Sequence, residues 1–192
     1  MFRRMTRERY LSDQELERFM AVVRERRHVH QPRDYALFSL LANTGMRPAE
    51  ARALVRGDFH ITSKLRTATL HRPSKKRGPR QLPRLFLQKP VAEVVARYLA
   101  TLPDDPTVKL FPFTKRQSAR LFHYYGDKAG ILPRRKIYAL RHTVGMRLWR
   151  HTHDLRIIQA VMGYTNQQGT AGYVHVDPET IRAAYQAAGI VR

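Results

Sequence analysis

Tyr138-Ala139-Leu140-Arg141-His142-Thr143 is the stretch on which the reading of this chain turns. Tyr138 and Arg141 stand one helical turn apart, so on a helix they face the same way. A helix is expected over about residues 139–150. Working outward, Thr44-Gly45-Met46-Arg47-Pro48-Ala49-Glu50 sets a second arginine, Arg47, at the junction of two helices. A guanidinium there suits a bidentate grip on a phosphate, helped by helix amides. Between the two arginines lies Arg72-Pro73-Ser74-Lys75-Lys76-Arg77-Gly78-Pro79, a basic hairpin loop. Past the second arginine, Met162-Gly163-Tyr164 precedes Tyr173-Val174-His175-Val176. Each piece alone is a weak signal.

The surrounding pattern is mostly helical. Ser12-Asp13-Gln14-Glu15 is a capping box, and Leu16, Phe19, Met20 and Val23 follow it at helical spacing. Pro32 opens a second helix, which ends near Asn43-Thr44-Gly45, with Gly45 as a left-handed cap. A short helix follows from Pro48 to Leu54. The period then changes. Phe59-His60-Ile61 and residues 67–71 read as short strands, and Arg80-Gln81-Leu82-Pro83 as a third, edge strand. Helices resume over residues 90–101 and over 114–129, the latter capped by Thr114 and stopped at Gly130. Shorter ones are expected over 154–162, 167–175 and 178–188. Leu102-Pro103-Asp104-Asp105-Pro106 reads as a surface loop. The expected class is α+β, mainly α, with one small three-stranded antiparallel sheet.

The 192 residues carry 36 Lys plus Arg against 15 Asp plus Glu, a net charge of 36 − 15 = +21 with nine His neutral. The hydrophobic fraction of 43% is that of a globular chain and too high for a disordered basic tail. No apolar run has the length of a bilayer crossing, and the basic first ten residues lead into no apolar stretch of a secretory signal. The absence of Cys excludes disulfides and zinc–thiolate sites, and suits a reducing cytoplasm. His28 with His30, and His151 with His153, are the close His pairs; without a third ligand nearby they read as surface residues. So strong a positive charge on a folded domain points to a polyanion, DNA or RNA.

Taken in order, the motifs resemble those of the tyrosine recombinases, the phage integrase family. Its pattern is an Arg in a Thr-Gly-x-Arg-x-x-Glu box, a hairpin Lys, His-x-x-Arg, a His or Trp after Leu-Gly, and a nucleophilic Tyr. Arg47 fits the first Arg, with Thr44, Gly45 and Glu50 around it. Lys75 fits the hairpin Lys, ahead of Leu82-Pro83. Arg141 fits the second Arg, and Tyr173 the nucleophile, nine residues after Tyr164. Two positions depart: Tyr138 stands where the family usually has His, and Tyr164 where it has His or Trp. Both keep a hydroxyl donor, but a phenol titrates near ~10 and does not serve as an imidazole acid or base at neutral pH.

The resemblance implies a helical catalytic domain over residues 11–192 behind a basic arm over 1–10, with no separate N-terminal core-binding domain. It implies site-specific recombination of double-stranded DNA (integration, excision or inversion) through a 3′-phosphotyrosine. Arg47 and Arg141 would neutralise the phosphorane. Lys75 would protonate the departing 5′-oxygen. No cofactor and no metal are required. The chain would self-associate on DNA, as a tetramer on two duplexes. Lys76 competes with Lys75 for the lysine role. Tyr185, Tyr124 and Tyr125 compete with Tyr173, although one of Tyr124 and Tyr125 should lie in the core. His142 is read as a buttress. The expected DNA contacts are Lys76, Arg77, Arg80, Lys115, Arg116, Arg120, Arg134 and Arg135. Two alternatives stand beside this reading. One is a DNA-binding regulatory or architectural protein with weakened chemistry; the other is strand resealing of the type IB topoisomerase or telomere-resolvase kind.

Overall fold

The computed structural model of the chain describes residues 6–62, 67–70 and 85–164. These form seven helices and three strands: α1 (Asp13–Glu25), α2 (Gln31–Thr44), α3 (Pro48–Ala53), β1 (Phe59–Thr62), β2 (Thr67–Leu70), β3 (Leu85–Leu87), α4 (Lys89–Leu99), α5 (Lys115–Lys128), α6 (Tyr138–Thr152) and α7 (Leu155–Met162). Short 3-10 turns precede α1, at Arg7–Arg9, and β1, at Arg56–Asp58.

Local chemistry sets most of these boundaries. Ser12 Oγ accepts from the Glu15 amide at 3.1 Å, and Glu15 Oε2 accepts from the Ser12 amide at 2.7 Å. This reciprocal pair satisfies two amides that the first turn leaves without helical partners. Thr114 and Gln117 repeat the device at the start of α5. Gly45 ends α2 at φ 63°, where its amide still reaches the Leu41 carbonyl. Pro stands in the first turn of α2, α3 and α4, where its missing N–H costs no bond.

The backbone of β2 pairs antiparallel with both neighbours, with Phe59 opposite Leu70 and Ala68 opposite Leu87. The strand on the far side of β2 is Leu85–Leu87. The strand expected over residues 80–83 lies outside the described residues, as do the helices expected over 167–175 and 178–188.

Two apolar clusters hold the helices. The larger centres on α2, with Phe19 of α1, Phe38 of α2, and Phe122 and Tyr125 of α5 buried together. The rings of Phe19 and Phe38 meet edge to face at 5.0 Å, and those of Phe38 and Tyr125 at 5.7 Å. Tyr125 is the core member of the Tyr124–Tyr125 pair, and Tyr124 is exposed. The smaller cluster joins Tyr10, Val144, Ile158 and Met162. The segment expected as a basic arm is therefore docked at its inner end: Tyr10 is buried, and the Leu11 amide donates to Thr143 Oγ1 at 2.8 Å.

Candidate active site

The first arginine is fixed from the loop upward. Thr44 Oγ1 donates to the Leu40 carbonyl at 2.7 Å and accepts from the Met46 amide at 3.2 Å. Gly45 takes the left-handed turn and Met46 is buried. Arg47 then stands at the N-cap of α3. Its amide and its Nη1 both donate to the Glu50 carboxylate, each at 2.7 Å. Burial opposes the charge on Arg47. The hydrogen bond and charge of Glu50, with the Tyr138 and Tyr164 phenols nearby, outweigh it and hold the pKa above the ordinary guanidinium value.

The second arginine is deeper. Arg141 lies on the inner face of α6 and is 1% exposed. Nη1 donates to the Gly45 carbonyl and Nη2 to the Met162 carbonyl, each at 2.6 Å. Nε is buried and has no hydrogen-bond partner among the described residues. A buried cation is tolerated when its donors are used, and two of the five N–H groups of Arg141 are used on these carbonyls.

Tyr164 joins the two. Its ring lies 4.8 Å from Arg141 Cζ and 5.9 Å from Arg47 Cζ, within cation–π range of both. The turn after α7 holds it there, its amide donating to the Gln159 carbonyl at 3.0 Å. Tyr138 stands at the start of α6, 40% exposed, with its ring 5.8 Å from that of His142. His142 is largely buried. That burial, with the charges of Arg9 and Arg141, pushes its imidazole down to about 4, so it is neutral at pH 7.

Arg47, Tyr138, Arg141 and Tyr164, expected together from sequence, thus come from three separate segments to one locus: the start of α3, the first turn of α6 and the turn after α7. Lys75, Lys76, Arg77, Arg80 and Tyr173 lie outside the described residues, as do His175 and Tyr185. Lys115, Arg116 and Arg120 are exposed on α5. One expected DNA contact is corrected. Arg135 is buried, its side chain 4% exposed, and Nη1 pairs with Glu15 Oε1 at 3.0 Å. Its charge sits inside the protein, where it ties the segment before α6 to α1. Arg134 is exposed, but its guanidinium holds the Asp127 carboxylate, with Nε to Oδ1 at 2.9 Å.

The Gly45 and Met162 carbonyls that orient Arg141 carry no side-chain signal, so the sequence reading missed them. Among the described residues no group of three His, Cys, Asp or Glu side chains is placed to hold a metal ion. No helix among them is long and apolar enough to cross a membrane.

A family model described as "Phage integrase family" matches residues 9–180. The chain is similar to "Tyrosine recombinase XerC" of Actinobacillus pleuropneumoniae serotype 7, 26% identical over 174 residues, covering 83% of this chain and 53% of that protein. It is 30% identical over 164 residues to "Tyrosine recombinase XerC" of Rhodospirillum centenum, covering 81% and 46%. The chain thus spans about half the length of these curated relatives. Its fold is that of the XerH site-specific recombinase solved bound to its difH substrate, with TM-score 0.79 and 20% identity, over 96% of this chain and 55% of that one.

Proposed function

The chain belongs to the phage integrase family, and from that premise we propose that it breaks and rejoins double-stranded DNA at specific sites through a 3′-phosphotyrosine. The observation that carries this reading is the meeting of Arg47 and Arg141 on the ring of Tyr164. Two guanidiniums within one ring's reach form a locus for a group carrying more than one negative oxygen, as a phosphorane does.

In the proposed reaction Tyr173 Oη attacks the scissile phosphorus in line with the 5′-oxygen. The phenol proton passes to solvent, Lys75 gives one to the departing 5′-oxygen, and the phosphodiester energy is kept in the Tyr173–phosphate bond. A 5′-hydroxyl from another strand reverses the step. Tyr138 and Tyr164 flank the phosphate. We read the fold as the helical catalytic domain of this family. In that reading the loop carrying Lys75 joins the second and third strands of the sheet, and copies assemble as a tetramer on two duplexes.

One observation favours a second reading, a DNA-binding protein of this fold with weakened chemistry. Arg141 is almost wholly enclosed, and each of its Nη groups is turned to a backbone carbonyl. Covalent trapping separates the two. A pool of nicked duplexes with randomised centres is incubated with the chain, and DNA surviving denaturation on protein is selected and sequenced. The recombinase reading expects enrichment of one site, lost in Arg47→Ala. Salt-sensitive binding with no covalent species would favour the weakened binder.

A further inference from the structure

We propose that Arg52 is a phosphate contact that carries bound duplex from the Arg47–Arg141 locus onto the first turns of α5. The proposal rests on the DNA reading above. Arg52 lies on α3, five residues after Arg47. Its Nη1 donates to the Pro48 carbonyl at 3.1 Å and to Ser118 Oγ at 3.4 Å. The second partner belongs to α5, 66 residues away in sequence. Ser118 is 2% exposed, and its own hydroxyl donates to the Lys115 carbonyl at 3.0 Å. The guanidinium is therefore held, half-buried, at the seam between α3 and α5.

Both partners of Arg52 are neutral oxygens. Among the described residues it meets no carboxylate, and burial alone acts on its charge, lowering its pKa. Arg56, Arg134 and Arg156, by contrast, each hold an aspartate. Arg carries five N–H donors, and two neutral acceptors on one Nη leave the rest of the fork for an anion. The far side of the seam continues the pattern. Lys115, Arg116 and Arg120 are exposed and in no ion pair among the described residues. Cations at the start of α3, at the α3–α5 seam and on α5 form a track, and a polyphosphate backbone is the ligand that a track of this kind fits.

The test uses the whole chain and a fluorescein-labelled duplex of about 30 base pairs and mixed sequence, titrated between about 50 and 200 mM KCl. Arg52→Gln is expected to cut the slope of log affinity against log salt by about 0.9 and to weaken binding about tenfold at the lowest salt. Arg52→Lys should keep the slope. A folded Arg52→Gln protein with the wild-type slope overturns the proposal. So does a fall in melting temperature with the slope unchanged, which is what a purely structural residue would give. Should Arg52→Gln not fold, Arg52→Met, which keeps the apolar stem, takes its place; failure of both to fold assigns Arg52 to structure and overturns the proposal. Wild-type chain without salt-dependent affinity would remove the DNA reading itself, and this inference with it.

Discussion

Arg141 donates to the carbonyl of Gly45 at 2.6 Å across 96 residues of sequence, and this bond closes the α2–α3 junction over the first turn of α6. A matching bond to Met162 closes the end of α7 onto the same guanidinium. One side chain thus both orients the locus and helps to hold it together. Arg141→Lys keeps the charge but loses the planar fork. It is expected to cost about 2–4 kcal/mol in denaturant unfolding and to eliminate covalent DNA adducts. Wild-type stability in this variant would show that the two carbonyl bonds carry no net energy.

Gly45 itself is constrained twice. Its φ of 63° suits residues without a Cβ, and a Cβ there would stand 2.8 Å from Met162 Sδ and 3.1 Å from Val144 Cγ1. Gly45→Ala should destabilise the chain by about 1–3 kcal/mol, read as a lower melting temperature.

His142 sets a pH dependence. Folded, it takes a proton only near pH 4; unfolded, it takes one near 6.5. Between these values the unfolded state binds more protons, so stability falls as pH drops through that window, by up to about 3 kcal/mol. Above 6.5 the group contributes no slope. His142→Gln should flatten the fall between pH 6.5 and 4 in melting curves. An unchanged slope would mean that the imidazole is not held in its neutral form.

What was legible in the sequence was local. The Ser12–Glu15 box, the left-handed Gly45, the Thr114 cap and the prolines opening α2 and α3 each act within a few residues, so pattern alone finds them. Arg47 and Arg141 stand in local motifs, and Tyr138 and Tyr164 at fixed spacings from them, so their candidacy is visible in the sequence. What escaped was decided by chain folding back on itself. Nothing near Arg135 in sequence announces Glu15, 120 positions earlier, as its partner (135 − 15), and a basic pair beside a proline reads as surface. The docking of Tyr10 and Leu11 on α6 and α7 escaped for the same reason: residues 1–10 look like a tail until Thr143 and Val144 are brought beside them.

Glu15 therefore has two tasks, capping α1 and neutralising buried Arg135. Glu15→Ala removes both and leaves a cation enclosed. A loss of about 3–5 kcal/mol is expected, well above the ~1 kcal/mol of a cap alone. A loss confined to the smaller figure would show that Arg135 finds water or another partner.

Tyr164 separates the work of a ring from that of a hydroxyl. Tyr164→Phe keeps the face toward Arg47 and Arg141, so adduct formation should fall less than about tenfold. Tyr164→Ala removes the face and, at about 0.5–2 kcal/mol per desolvated cation–π contact, should slow adduct formation by more than tenfold. Equal losses in the two variants would place the function on the hydroxyl.

The most direct measurement locates the covalent bond. Chain trapped on nicked duplex DNA is digested with protease and nuclease, and the peptide bearing a residual nucleotide is sequenced by mass spectrometry. The nucleotide is expected on Tyr173, and Tyr173→Phe should give no modified peptide while binding DNA as before. A nucleotide on Tyr185 or on any other residue, or a modified peptide from the Phe variant, would contradict the account.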